Sequence, residues 1–312
     1  MLHSRRLLAT AGLLLALFTV FTPRPSSAED GAYAVMDSAS GHVLLSQSPN
    51  KKLAVGSLTN IATAMVVLDW LDLRKRDINE AVVIPPQAGA FPQNPIGFQT
   101  GDQASVRDLL YASLMQSDDI AAYALAVHVG EDLPPSSPEE TPVQRFVAQM
   151  NALARKLGMN HTIFVNPTGL DLNERKLPYS TASDMALLAR YAMNRSQFRF
   201  YVSQKVREIA IDHAAAAPTG YALQNTNELL GIDSIDGVKT GTTRRSGACV
   251  VLSAARAPES VQQGANYIIT PRRLVVVVLG APNRFIIGRQ LLETGWALYD
   301  QWSAGGRQQK RS

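Results

Sequence analysis

Residues 236–242 read Asp236-Gly237-Val238-Lys239-Thr240-Gly241-Thr242. We predict that this stretch lies on a strand and that its lysine belongs to a functional site. Two other polar segments interrupt apolar patterns earlier in the chain. The segment Ser57-Leu58-Thr59-Asn60 opens a long apolar stretch, and Ser117-Asp118-Asp119 separates two helical ones. These three segments are the candidate site.

The segment from Ser57 to about Leu73 is predicted to be a mostly buried helix. Ile61, Met65 and Leu68 recur at helical spacing along it. Ser57 is a residue type that caps helix N-termini. We therefore expect Ser57 to stand at the start of this helix.

The remaining pattern predicts strands at both ends of the chain and helices in the middle. Predicted strands cover residues 33–37, 42–46, 205–211, 247–255 and 274–280. Predicted helices cover residues 106–129, interrupted at 116–119, and residues 143–157, 183–193 and 289–302. Loops are expected at residues 85–102 and 131–142. The arrangement predicts an α+β fold in which an antiparallel sheet of N- and C-terminal strands is flanked by helices.

Composition and charge are those of an ordinary globular protein. Of the 312 residues, 46% are hydrophobic and 18% charged, which is enough to bury a sizeable core. Three of the four net positive charges belong to Arg5, Arg6 and Arg24, so the remainder carries only +1. No basic face for nucleic acid is indicated, and we expect no nucleic-acid partner.

The N-terminus has the pattern of an export signal. Basic residues at 1–6 precede an apolar run at 7–21, and small residues lead up to Ala28. The apolar run is shorter than the roughly 20 residues that span a bilayer. We expect residues 1–28 to be a cleaved signal peptide and the protein to be exported to the periplasm or another extracytoplasmic space. Residues 29–302 would form the catalytic domain and residues 303–312 a flexible basic tail.

Neither a metal ion nor a cofactor is predicted. No two of the five histidines are spaced three or four residues apart, as metal-binding pairs often are. The sequence also has no Gly-x-Ser-x-Gly elbow and no Gly-rich phosphate loop. The single cysteine, Cys249, lies in an apolar run that predicts a buried strand, and it cannot form an intrachain disulfide.

The three polar segments, in this order, resemble the motifs of the penicillin-binding serine hydrolases, which read Ser-x-x-Lys, Ser-x-Asn and Lys-Thr-Gly. Within that group the chain is similar to the low-molecular-weight D-alanyl-D-alanine carboxypeptidases. Further segments match between about Ala32 and Trp302, in the family's order. They are residues 146–151, 157–159, 164–170, 180–184, 225–230 and 236–242.

The resemblance implies the penicillin-binding, β-lactamase-like transpeptidase fold and action on the D-Ala-D-Ala end of peptidoglycan stem pentapeptides. Ser57 would attack the carbonyl and form an acyl-enzyme that water hydrolyses. The backbone N–H groups of Ser57 and Thr242 would hold the oxyanion. Covalent trapping by β-lactams is expected if Ser57 is reactive.

The Lys-Thr-Gly motif would bind the substrate's terminal carboxylate. Lys239, Thr240 and Gly241 are the matching residues, and Arg289 is a candidate helper because of its place after the Gly280 turn. Larger members of the family carry an amphipathic C-terminal membrane anchor. The residues after Trp302 do not resemble one, so we expect no stable membrane anchor of that type.

Two positions depart from the family's pattern. Asn60 stands where the family has the lysine that serves as general base, and Asp119 replaces the asparagine of the second motif. A neutral amide is not a useful proton acceptor near pH 7. We expect Asn60 to donate a hydrogen bond to the Asp119 carboxylate, because the family's lysine and asparagine are neighbours.

Two functions remain open. In a working carboxypeptidase, the Ser57 proton would go to Asp119, with its pKa raised by burial, or to a deprotonated Lys239 acting through Ser117. In a pseudoenzyme, the cleft would bind a stem peptide or a cell-wall partner with little or no turnover.

Other assignments are weaker. Lys51 and Lys52 precede the helix by several residues, too far to replace the base as an ordinary helix neighbour of Ser57. A serine β-lactamase would need an additional carboxylate to activate the deacylating water, and Glu139 and Glu140 belong to a predicted solvated loop.

Overall fold

The computed structural model describes residues 31–91, 94–171 and 177–307, so the predicted signal peptide at 1–28 lies outside the described residues. The strands are β1 (Ala32–Asp37), β2 (Val43–Gln47), β3 (Ala81–Val83), β4 (Gln103–Ser105), β5 (Val206–Ile211), β6 (Thr219–Gln224), β7 (Ile235–Thr243), β8 (Gly247–Gln263) and β9 (Asn266–Leu279). The helices are α1 (Asn60–Arg74), α2 (Val106–Met115), α3 (Asp119–Glu131), α4 (Pro142–Lys156), α5 (Ala182–Met193), α6 (Ser196–Val202) and α7 (Arg284–Ala304).

Strands from the two ends of the chain form the main sheet. Its order is β2-β1-β9-β8-β7, and every neighbouring pair is antiparallel. The remaining described strands form two small two-stranded antiparallel sheets, β3 with β4 and β5 with β6. The predicted α+β class, with an antiparallel sheet built from N- and C-terminal strands, is confirmed.

The alternation of side chains along β9 divides the core between two sides of the sheet. Val275, Val277 and Leu279 pack in the cluster that includes helices α1 to α6. Val276 and Val278 pack in a second cluster with residues of α7. Because both faces are covered there, residues 274–279 of β9 form a continuous apolar run and do not alternate with polar residues.

The start of the first helix differs from the sequence prediction. Ser57 lies in a 3-10 turn, Gly56–Thr59, and α1 begins at Asn60. No side chain caps either segment, so the predicted capping role of Ser57 is wrong. A tight 3-10 turn is a common start for an α-helix. Here the turn that contains Ser57 packs closely against the backbone of neighbouring segments.

Other helix and strand boundaries differ from the predicted ones, because local sequence patterns do not show which strands pair in the folded protein. Helix α7 begins at Arg284, five residues before the predicted start, and it ends at Ala304, inside the predicted tail. Strands β8 and β9 extend to Gln263 and Asn266, well past the predicted ends. The polar residues and prolines of 256–273 do not form a recognisable strand pattern, so the sequence did not predict this extension. None of the described helices is long and apolar enough to span a membrane.

Gly169 allows the loop after α4 to reach the turn that holds Ser57. A Cβ at this position would lie 2.0 Å from the Gly56 carbonyl oxygen, and the φ of Gly169 is +83°. We predict that Gly169→Ala lowers the free energy of unfolding by roughly 2–5 kcal/mol, from left-handed strain plus overpacking. Urea unfolding followed by circular dichroism measures this loss.

Gly158→Ala is the matched control, because Gly158 has a φ of +74° and nothing within 4 Å of the added methyl group. Strain alone predicts a loss of roughly 1–2 kcal/mol there. Equal losses in the two variants would show that Gly169 does not hold the Ser57 turn.

Candidate active site

Ser57 lines a cleft of about 480 Å³ between the helices and the edge strand β7. The turn that contains Ser57 packs closely against the backbone of β7, and glycines at the points of contact leave room for this approach. A Cβ on Gly241 of β7 would lie 2.6 Å from the carbonyl oxygen of Val55. Gly56 has a φ of +55°, and a Cβ there would lie 3.2 Å from the backbone nitrogen of Thr242. Close backbone approach therefore brings the Thr242 amide beside the Ser57 turn.

The second polar segment lies between α2 and α3, as predicted. Ser117 has a φ of +61°, a conformation uncommon outside glycine that turns the chain sharply. The Asp118 carboxylate accepts a hydrogen bond from Ala121 N at 2.8 Å and caps α3. Asp119 is the first residue of α3, and both Ser117 and Asp119 line the cleft.

Asn60 has a structural partner that the sequence did not predict. Its Nδ2 donates to the carbonyl oxygen of Ser113 at 2.9 Å, in the last turn of α2. Carbonyls in that position lack partners within their own helix, so the buried amide satisfies one of them. The expected hydrogen bond from Asn60 to Asp119 is therefore wrong, because the amide is directed to α2. Asn60 is fully buried, and its Oδ1 has no hydrogen-bond partner among the described residues.

Asp119 is a buried carboxylate with an unusually high proton affinity. Burial raises its pKa to about 7, and the nearby Asp118 carboxylate adds to the rise, while Lys239 opposes it. Burial also raises the pKa of Asp118, to about 6, against the lowering effect of its backbone hydrogen bonds. Oδ1 of Asp119 has no hydrogen-bond partner among the described residues.

Lys239 extends from β7 into this same group. Its side chain is only 1% exposed, and Nζ donates to Ser117 Oγ and, at 3.1 Å, to the carbonyl oxygen of Thr240. Burial lowers the pKa of Lys239 to about 7; Asp119 acts in the opposite direction, and Arg284 lowers it further. A lysine of this kind can exist as a neutral amine near neutral pH, and only the neutral amine can accept a proton.

Thr240 is held by a contact from outside the predicted site. Its Oγ1 lies 2.6 Å from Oγ1 of Thr226, which in turn donates to the carbonyl oxygen of Met115 at the end of α2. Thr226 lines the cleft as well. It lies in a segment that resembles the family, residues 225–230, but no short-range pattern distinguishes it from its neighbours.

Arg284, and not Arg289, reaches the cleft. Nη1 of Arg284 donates to Thr242 Oγ1 at 2.7 Å and to the Gly241 carbonyl oxygen at 3.1 Å. Arg289 pairs with Asp233 at 2.6 Å and lines a separate depression on the surface. The predicted start of the last helix was five residues late, and the arginine at its actual start, Arg284, is the one that lines the cleft. Five residues along a helix rotate a side chain by about 140°.

The structure adds other residues to the cleft that the sequence did not predict. They are Pro95, Gln116, Leu170, Asp171, Thr243 and Arg244. Glu139 and Glu140 line a different, shallow depression. Lys52 places its ammonium over the ring of Tyr179 and, like Lys51, is absent from the cleft lining.

The described residues contain no group of three or more His, Cys, Asp or Glu side chains that could hold a metal ion. Two histidines contact carboxylates, His128 with Glu80 and His213 with Asp102, and none of these four lines the cleft. Cys249 is buried on β8, as predicted.

Solved structures define the class to which this fold and site belong. The structure of a Streptomyces DD-transpeptidase matches with a TM-score of 0.70 and 26% identity, over 85% of this chain and 96% of that one. A penicillin-binding protein of Listeria monocytogenes in its ampicillin-bound form matches with a TM-score of 0.66 and 28% identity, over 85% and 96%. The fold is thus that of the penicillin-binding transpeptidases, as predicted.

Sequence comparison identifies the family. The signature described as D-alanyl-D-alanine carboxypeptidase matches residues 19–265. The carboxypeptidase DacC of Escherichia coli is 32% identical over 309 residues, which cover 94% of this chain and 69% of that protein. A Streptomyces D-alanyl-D-alanine carboxypeptidase is 31% identical over 81% of this chain and 86% of its own length. The chain belongs to the D-alanyl-D-alanine carboxypeptidase family.

We predict that Asp119→Asn lowers the pKa of Lys239 below its present value of about 7, because the carboxylate is the group that raises it against burial. The measurement is a pH titration of ¹³Cε-labelled lysine by NMR, with Lys239→Met to assign the signal. Glu140→Gln, outside the cleft, is the control and leaves the titration unchanged. A pKa that stays constant or rises in Asp119→Asn would contradict the coupling.

Proposed function

We propose that this protein is an exported serine-type D-Ala-D-Ala carboxypeptidase that acts on peptidoglycan stem pentapeptides through an acyl-enzyme on Ser57. Lys239 and Ser117 together replace the missing lysine as proton acceptor. The observation that carries the proposal is the hydrogen bond from the buried Lys239 Nζ to Oγ of Ser117, a residue that lines the same cleft as Ser57.

The proton would move along hydroxyl groups to the amine. With Lys239 neutral, Ser117 passes its own proton to Nζ as its Oγ takes the proton of Ser57. Ser57 Oγ then bonds to the carbonyl carbon, and the oxyanion is stabilised by the backbone N–H groups of Ser57 and Thr242. Collapse of this intermediate breaks the C–N bond, and the amine of the departing D-alanine takes a proton back by the reverse route. Water then hydrolyses the ester.

Asp119 is the other candidate for the base. Its pKa of about 7 would make it competent near neutral pH. Lys239 is favoured because it contacts Ser117 directly, whereas Oδ1 of Asp119 is buried without a partner. In this proposal Asp119 sets the proton affinity of Lys239 and balances its charge after protonation.

The substrate's terminal carboxylate would bind at the other side of the cleft. Arg284, Thr240 and Thr242 offer a guanidinium and two hydroxyl groups there. Arginine suits a carboxylate because its planar N–H donors can bind both oxygens. Arg284 therefore takes the role that the sequence assigned to Arg289.

A peptide-binding protein without turnover is the second candidate. Asn60 favours it, because its amide is engaged with the Ser113 carbonyl and provides no proton acceptor next to Ser57. The carboxylate-binding groups would still hold a D-Ala-D-Ala terminus. The two candidates differ in whether Ser57 forms a covalent adduct.

We predict a slowly formed, stable adduct on Ser57 when the chain from Glu29 is incubated with a fluorescent penicillin. Removal of a positioned general base costs roughly 100- to 10,000-fold in rate, so incubation lasts hours. The rate should rise with pH through about 7, because Lys239 is charged below that value and neutral above it. Intact mass spectrometry gives the adduct, and Ser57→Ala is the control.

The variant Asp119→Asn distinguishes between the two candidate proton acceptors, Lys239 and Asp119. If Lys239 is the acceptor, the adduct still forms, and the midpoint of the pH profile moves to lower pH. Loss of the adduct in folded Asp119→Asn would assign the base to Asp119. Absence of any adduct in the folded wild-type chain, together with calorimetric binding of a D-Ala-D-Ala peptide, would favour the non-catalytic candidate.

We predict that Arg284→Gln raises the KM for a D-Ala-D-Ala peptide, or slows penicillin acylation, by roughly 10- to 100-fold. The change removes a charge-assisted hydrogen bond to the carboxylate. Arg289→Gln is the matched control, since it removes the same charge from the same helix outside the cleft. Equal effects of the two substitutions would show that Arg284 has no special role in binding.

A further inference from the structure

A second arginine lines the cleft together with Arg284, and the proposed reaction does not use it. Arg244 is the first residue after β7, in the turn of residues 244–246 that leads to β8. Both Arg244 and the following Arg245 are exposed. Arg245 is not among the described residues that line the cleft. Of this pair, only Arg244 is therefore placed to contact a molecule bound there.

The guanidinium of Arg244 has no partner within the described part of the chain. Arg284 differs, because its Nη1 donates to the Gly241 carbonyl oxygen and to Thr242 Oγ1. No salt bridge or hydrogen bond joins the side chain of Arg244 to another described group. The planar N–H donors of an arginine match the two oxygens of a carboxylate. Arg244 is thus available to an anionic group of a ligand.

Nearby acidic residues do not balance the charge of Arg244. Asp119 acts on the buried Lys239, and both carboxylate oxygens of Asp171 are shielded from solvent. The sequence has no acidic residue between positions 236 and 259, so the turn carries the two positive charges of its arginines. This end of the cleft therefore attracts anions and repels cations.

The direction of β7 indicates which part of a substrate would meet Arg244. This strand is at the edge of the main sheet, so its free edge can pair with an extended peptide. In the proposed reaction the terminal carboxylate binds at Thr240, and the attacked carbonyl lies at the N–H of Thr242. Arg244 lies two residues beyond Thr242, about 7 Å along the chain. An extended peptide covers this distance in about two residues, which brings the residue before the two D-alanines beside Arg244.

We propose that Arg244 binds a carboxylate at the end of this residue's side chain, the third residue of the stem peptide. The inference rests on the proposed function, because it uses the binding direction of that reaction. D-Ala-D-Ala has a single carboxylate, which Arg284 binds, so a second anionic group belongs to a residue upstream. A lysine at the third position would place an ammonium beside the guanidinium, and this like-charge contact disfavours the peptide. The preferred substrates are stem pentapeptides whose third residue has a carboxylate in its side chain.

The test compares three peptides, acetyl-X-D-Ala-D-Ala, that differ in one side chain. X is L-2-aminopimelate, which ends in a carboxylate, the corresponding ω-amide, or L-lysine. Binding is measured by NMR titration of the ¹⁵N-labelled Ser57→Ala chain from Glu29, which cannot form an acyl-enzyme. The carboxylate peptide should bind about three- to tenfold more tightly than the amide peptide, and the lysine peptide should bind most weakly. High salt should reduce these differences.

Three variants of the Ser57→Ala chain make the result specific. Arg244→Gln should abolish the difference between the carboxylate and amide peptides. Arg245→Gln is the matched control, because it removes the same charge from the adjacent exposed residue, and it should retain most of the difference. Arg244→Glu should reverse the order and favour the lysine peptide.

The outcomes separate this proposal from the proposed function. Equal binding of the three peptides, absence of binding, or a preference that Arg244→Gln retains would overturn the role of Arg244. The penicillin experiment on the wild-type chain tests the reaction independently. An adduct on Ser57 without any peptide preference would reject the role of Arg244 and keep the reaction. A preference that depends on Arg244, with no adduct on Ser57, would keep this binding role and reject turnover.

Discussion

The contact between Lys239 and Ser117 links the edge of the main sheet to the helical region at the cleft. Lys239 comes from the edge strand β7, and Ser117 comes from the sharp turn between α2 and α3. An ammonium buried without partners would be very costly, so the contacts to Ser117 and Thr240 and the charge of Asp119 are what allow this lysine to be buried. Ser117 itself lies in the left-handed backbone region, with a φ of +61°.

The two departures from the family's motifs act together on the charge of the cleft. Where the resemblance implies two lysines and an asparagine, this chain has Lys239, Asp119 and Asn60. One buried positive charge is gone, and one negative charge has been added. Asp119 opposes the effect of burial on Lys239, and Lys239 opposes it on Asp119. Each group therefore has a pKa of about 7, the range in which a general base near neutral pH would titrate.

Asn60 has a structural role at the position where the resemblance implies a lysine. Its amide binds the Ser113 carbonyl, one of several at the end of α2 that find partners outside the helix. The Met115 carbonyl accepts from Thr226, and the Ala112 carbonyl from Gln116 and Asp118. These bonds position the Ser117 turn, so Asn60 supports the geometry on which the Lys239 contact depends.

The sequence by itself determined the family, the α+β class, the three motif segments and most of the helices, because these depend on residue type and on local periodicity. Tertiary structure alone decided which groups meet. Arg284, and not Arg289, lines the cleft because the start of α7 depends on how the chain leaves the sheet at Gly280. Asn60 turned to Ser113 because the end of α2 had an unpaired carbonyl. The long β8–β9 hairpin escaped prediction because its pairing is between strands, and its mixed polar and apolar residues show no pattern until the two strands are placed side by side.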